Sequence, residues 1–106
     1  MTTPVAAVPA AITAFGGAQA AVSADIAAAG GVEMATVAAA LAPVFGPIGA
    51  DHVIATLSAM GVNLFEMGQL AAVHAGIAAT SVAAAAGYAA TDVSHSESFG
   101  PTLNLL

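Results

Sequence analysis

The chain has 106 residues, which is enough for one hydrophobic core and too few for two. Six carboxylates and no lysine or arginine give a formal net charge of −6, so no cation is available for a phosphate backbone or an anionic headgroup, and nucleic acid is excluded as a partner. Hydrophobic residues make up 59%, but many are alanines, whose methyl groups remove little apolar area from water; the expected core is broad and thin.

Alanine has the highest intrinsic helix propensity, and the β-branched and aromatic residues that favour strands are scarce, so the chain reads as all-α. Residues 1–9 hold two prolines and two threonines and read as an irregular lead-in, with Pro9 tolerated in a first helical turn. From about residue 10 to 42, Ile12, Phe15, Val22, Ile26, Val37 and Leu41 recur at mixed spacings of three and four, the pattern of an amphipathic helix. Two Gly-Gly pairs interrupt it. Gly16-Gly17 suits close approach of another helix and Gly30-Gly31 suits a break, and the residues alone leave the continuity of helix one open.

Residues 43–50 contain Pro43, Gly46, Pro47 and Gly49, the densest punctuation in the chain, and read as the turn. Asp51 suits the N-cap of a second helix over about 51–92, and His52 beside it reads as a first-turn surface residue. Val53, Leu57, Met60, Leu64, Met67, Ala71, His74 and Ala78 step down one face of this helix by threes and fours, flanked by Ile54, Gly61, Phe65, Gly68 and Ala72. A stripe that wide exceeds what one neighbouring helix covers. The expected architecture is therefore an antiparallel helical hairpin over residues 1–98 that completes a bundle with a partner, with Leu57, Met60, Leu64 and Met67 on the partner-facing side. After Asp92 the apolar periodicity fades and Gly100-Pro101 adds breakers, so residues 99–106 read as a flexible tail, whose Leu103, Leu105 and Leu106 could still dock.

A different reading starts from residues 67–91, which are long enough for a membrane span and free of charged side chains. Gln69, His74, Ser81, the threonines and the lack of flanking Lys or Arg argue against insertion, and the membrane-inserted hairpin is the alternative. No enzymatic constellation can be assembled. His52, His74 and His95 are too widely separated for the short helical spacings of metal ligands, no serine sits in a nucleophile elbow, and Asp25, Glu33, Asp51, Glu66, Asp92 and Glu97 are scattered. Met34, Met60 and Met67 read as helix packing or as an adaptable surface. Neither a cofactor nor a metal is expected. Cysteine is absent, which leaves the redox compartment undecided. The uncharged first 24 residues lack the positive n-region of a Sec signal, so export would need another route.

Near the end of the second helix, Gly87-Tyr88-Ala89-Ala90-Thr91-Asp92 places Tyr88 and Asp92 four residues apart on one face. This pair resembles the Tyr-x-x-x-Asp/Glu export signal of type VII (ESX) secretion substrates of mycobacteria and related actinobacteria. With Phe45-Gly46-Pro47 in the turn and a long second helix, residues 10–98 resemble the EspC-like ESX secretion-associated proteins. The PE proteins are similar in alanine richness and in the wording of residues 88–92, although Pro4 is followed by Val5 and not by glutamate. The resemblance implies a protein made in the cytoplasm and then secreted or held at the cell envelope. It also implies export in the folded state, pairing with itself or with a second helical substrate, and recognition by the export ATPase or a chaperone through Tyr88, Asp92 and the tail.

Overall fold

The computed structural model describes residues 3–103, and the side chains of residues 3–101. The described residues form α1 (Pro9–Ala29), α2 (Met34–Phe45) and α3 (Ala50–Leu103), with no strand among them. The fold class is the expected all-α helical hairpin, with α1 and α2 as the first arm and α3 as the second. By internal contacts the chain divides into a unit of Met1–Ala21 with Ala75–Leu106 and a unit of Val22–His74.

Burial along the helices follows a seven-residue repeat. On α1 the sheltered positions are Pro9, Ile12, Gly16, Gln19, Ser23, Ile26 and Gly30; on α3 they run from Val53 through Leu57, Met60, Leu64, Met67, Ala71, His74, Ala78 and Ser81 to Ala85. Alternating steps of three and four are the signature of a coiled-coil seam, in which each side chain enters a hole made by four residues of the facing helix.

In the first unit the seam is built on small residues. Gly16 is buried, and a Cβ placed on it would stand 3.1 Å from the Ala78 carbonyl oxygen and 3.2 Å from the Ser81 Cβ. The absent side chain is what allows the two backbones to come together, and Ala85, 4% exposed, closes the same seam. The Ser81 hydroxyl donates to the Ile77 carbonyl of its own helix at 2.8 Å, which keeps the polar group satisfied beside the glycine.

In the second unit the arms run antiparallel. Ser23 Oγ donates to the Ala71 carbonyl at 2.7 Å, Gly30 faces Met67, and the Met34 Cε lies by Gly61. Val53 and Ala71 are the buried hydrophobics here. Between α1 and α2 the chain breaks at Gly30-Gly31-Val32-Glu33. Two consecutive glycines remove the propensity that would carry the helix onward, and Gly30 and Gly31 close α1 by donating to the Ile26 and Ala28 carbonyls. After the break the sheltered positions of α2 are Met34, Val37, Ala38 and Leu41; Val37 keeps the phase of α1, and Met34 and Leu41 fall one residue past it.

The turn is shorter than the expected residues 43–50, because α2 carries Pro43 inside it and runs to Phe45 and α3 begins at Ala50, and three further points concern helix one, left open by the residues, Asp51 and the tail. Helix one is two helices, for the reason just given. Asp51 lies inside the first turn of α3, because the helix already begins at Ala50; its carboxylate still meets the positive end of the helix dipole. The tail is the largest difference. Instead of ending near Asp92, α3 runs to Leu103, so residues 99–103 are helical and not a loose tail. Residues 93–99 contain no breaker, and the Ser96 and Ser98 hydroxyls return to the Val93 and His95 carbonyls at 2.8 Å within the helix. Pro101 falls in the last turn, where the one hydrogen bond it removes matters least. Leu105 and Leu106 lie outside the described residues.

Neighbouring glycines give an internal control for the seam. Gly17 would meet nothing within 4 Å if it carried a Cβ. We expect Gly17→Ala to raise stability by about 0.5–1 kcal/mol through helix propensity, and Gly16→Val to lower it by about 1–3 kcal/mol through overpacking. Urea denaturation of the two variants checks this, and equal midpoints would mean that the helices do not close on Gly16.

Candidate functional site

Three groups of residues are the candidates that the sequence offers: the turn, the large apolar residues of α3, and the Tyr88–Asp92 pair. At the turn, Phe45 ends α2 and Gly46 follows with φ 64° and ψ −169°, a conformation that an L side chain rarely adopts. The Gly46 N–H donates to the Ala42 carbonyl at 3.0 Å and caps the helix. Pro47 starts the reversal, Ile48 is fully exposed, and Gly49 donates to the Phe45 carbonyl. A Cβ on Gly49 would stand 2.7 Å from the Phe45 Cβ, so this glycine makes room for the ring. The Phe45 ring then meets His52 with centroids 5.2 Å apart and planes tilted by 43°. The aromatic ahead of glycine thus buttresses the start of α3. Sequence reasoning missed this role for His52, because the contact exists only once the chain has turned.

Leu57, Met60, Leu64 and Met67 are half-buried at seam positions of α3. Met60, Leu64 and Met67 line a shallow groove of about 170 Å³ with Ala29, Val32 and Asn63, beside the helix break. Their inner edges therefore serve the hairpin's own packing. The larger apolar side chains left in solvent are others: Ile54, Val62, Phe65 and Val73 are each more than half exposed.

Tyr88 is half exposed and Asp92 exposed, one turn apart on α3. They continue the heptad phase of Ser81 and Ala85, so the pair occupies the seam face itself. A hollow of about 310 Å³ lies beside Tyr88, lined by Ala84, Gly87, Tyr88 and Thr91. The six carboxylates are all exposed, and among the described residues no three His, Asp or Glu side chains gather as a metal site. His74 is half-buried in the seam, while His52 and His95 are exposed.

Residues Pro9–Phe45 and Ala50–Pro101 both pass the length and hydropathy test for a membrane span, with a best-window mean hydropathy of 1.5. Alanine scores high per residue on such an index while burying little area, so an alanine-rich hairpin passes it on composition alone.

The family model described as excreted virulence factor EspC of the diderm type VII ESX system matches residues 1–101. No curated protein and no solved structure matches the chain.

The turn geometry carries its own prediction. Gly46→Ala should cost about 1–3 kcal/mol, the penalty of a side chain held in that backbone region. Gly68→Ala, where an added Cβ meets nothing within 4 Å, should stabilise. Thermal unfolding followed by circular dichroism reads both, and an unchanged midpoint for Gly46→Ala would mean that the turn adopts another conformation.

Proposed function

The chain belongs to the EspC family of excreted type VII ESX proteins, and on that premise we propose that it is a non-enzymatic helical interaction protein that associates with itself or with a second helical substrate. Membership makes it a secretion substrate, made in the cytoplasm and exported through the type VII system. The finer role rests on one observation about its surface. On α3 the large apolar side chains of Ile54, Val62, Phe65 and Val73 are each more than half exposed, which supports a partner helix there. The exposed rims of Leu57, Met60, Leu64 and Met67 border the same helix and would be covered only at its edge.

Tyr88 and Asp92 are assigned the role of the export signal. A ring and a carboxylate one turn apart on a rigid helix give a receptor two anchors at a fixed separation, one apolar and one charged. The export ATPase or a chaperone is the expected reader. Insertion of α3 into a membrane is the competing reading, and the seam polar groups Ser23, Gln19, His74 and Ser81 count against it.

Tyr88→Ala and Asp92→Ala should abolish export while leaving the helical circular dichroism spectrum unchanged, measured by comparing culture filtrate with cell lysate. Normal export of both variants would remove the signal assignment. Light scattering of the purified chain over a range of concentrations tests association separately, and a constant monomer mass would limit partnering to a second protein.

A further inference from the structure

The seam of α3 does not stop where the first arm stops. Gly16 of α1 lies against Ala78 to Val82, and α1 begins only seven residues earlier, at Pro9. The same seven residues lead on α3 from Ala78–Val82 to residues 85–89, so the sheltered Pro9 falls at the level of Ala85, the last buried position of the seam, and of the half-exposed Tyr88. From there the same steps of three and four reach Tyr88, Asp92, His95 and Phe99, all exposed on a helix that continues to Leu103. The lead-in does not cover them, since Val5 is fully exposed and Val8 more than half exposed. What remains among the described residues is three successive coiled-coil positions beyond the reach of α1, Asp92, His95 and Phe99, with Tyr88 half covered at their edge.

We propose that this overhang is the interface of a tail-to-tail dimer, in which the same four positions of a second copy complete the seam in antiparallel sense. The proposal rests on the self-association put forward above and names its surface. Its support is self-complementarity. When two copies are set antiparallel about a two-fold axis midway between Asp92 and His95, Tyr88 faces Phe99 of the second copy and Asp92 faces His95 of the second copy, each pair occurring twice. An aromatic pair flanks each end of the interface and an acid and an imidazole meet at its centre. The imidazole N–H donates to the carboxylate, so the charge is not left bare when water is excluded. No lysine or arginine exists anywhere in the chain to serve Asp92, so within this sequence a histidine is the fitting partner, and His95 is the one the register delivers.

Four layers make a contact small beside a standard interface of about 1,600 Å², so the dimer forms at high local concentration. Formation covers Tyr88 and Asp92, which makes pairing and recognition of that face mutually exclusive.

The absence of cysteine makes the test clean. Full-length Tyr88→Cys and Phe99→Cys proteins, mixed and oxidised, should give a disulfide between the unlike chains in preference to either like pair. In sedimentation equilibrium, Phe99→Glu and His95→Asp should each weaken association at least tenfold, and the exchange Asp92→His with His95→Asp should restore it, a rescue that no loss of helix stability would produce. Retained association in both single variants, or preferential cross-linking of Tyr88→Cys to itself, would overturn this interface while leaving self-association in place. A wild-type chain that stays monomeric throughout would overturn the self-association reading along with it. Export is read separately, since His95 and Phe99 lie outside the Tyr88–Asp92 pair.

Discussion

The close approach of two helices at Gly16 is the constraint on which the rest of this molecule depends. An alanine-rich hairpin has few large side chains to bury, so its stability has to come from many short backbone-level contacts. At Gly16 the facing carbonyl and Cβ are within about one methyl's reach of the glycine Cα, and the small residues at Ser23, Ala71, Ala78 and Ala85 extend the seam on either side. Dispersion is weak per atom pair and falls steeply with separation, which makes small residues at regular seam positions more useful here than scattered large ones. The polar members of the seam do not undermine it, because Ser23 and Ser81 give their protons to carbonyls in reach.

A thin seam has a cost at the surface. Among the described residues Val53, Ala71 and Ala85 are the buried hydrophobics, and most larger apolar side chains of α3 are left in solvent. The same economy leaves Tyr88 and Asp92 exposed on α3 without a dedicated loop. Because α3 outruns α1, its seam positions turn from packing to presentation at Ala85, with no change in helix phase. Tyr88 and Asp92 need no special backbone, only the absence of a facing arm.

The turn is the other point where local chemistry and function meet. Gly46 takes the conformation that side chains avoid, Gly49 yields space, and Phe45 reaches His52 across the reversal. An aromatic followed by glycine is thus a mechanical device: the ring orients the start of α3 while the glycine lets the chain leave α2.

Much of this was legible in the residues themselves. Alanine propensity and three-and-four spacing determine helices, Gly46 to Gly49 determine the turn while Pro43 is carried inside α2, and Tyr88, Asp92 and the aromatic-glycine turn carry the resemblance to the secretion family, because each of these is a local property of the chain. The tertiary structure decided what depends on a neighbour. Which Gly-Gly pair packs and which breaks was undetermined by sequence, since glycine permits both; Gly16 stays helical because α3 lies against it, and Gly30 ends α1 because the helix has no propensity left to continue. The extent of α3 beyond Asp92 was missed because polar residues without apolar periodicity look like a tail, although serine hydroxyls can stay within a helix. Leu57, Met60, Leu64 and Met67 are half-buried at the hairpin's own seam, a placement that hydrophobic spacing alone does not specify, because it tells that a face is covered but not by which helix.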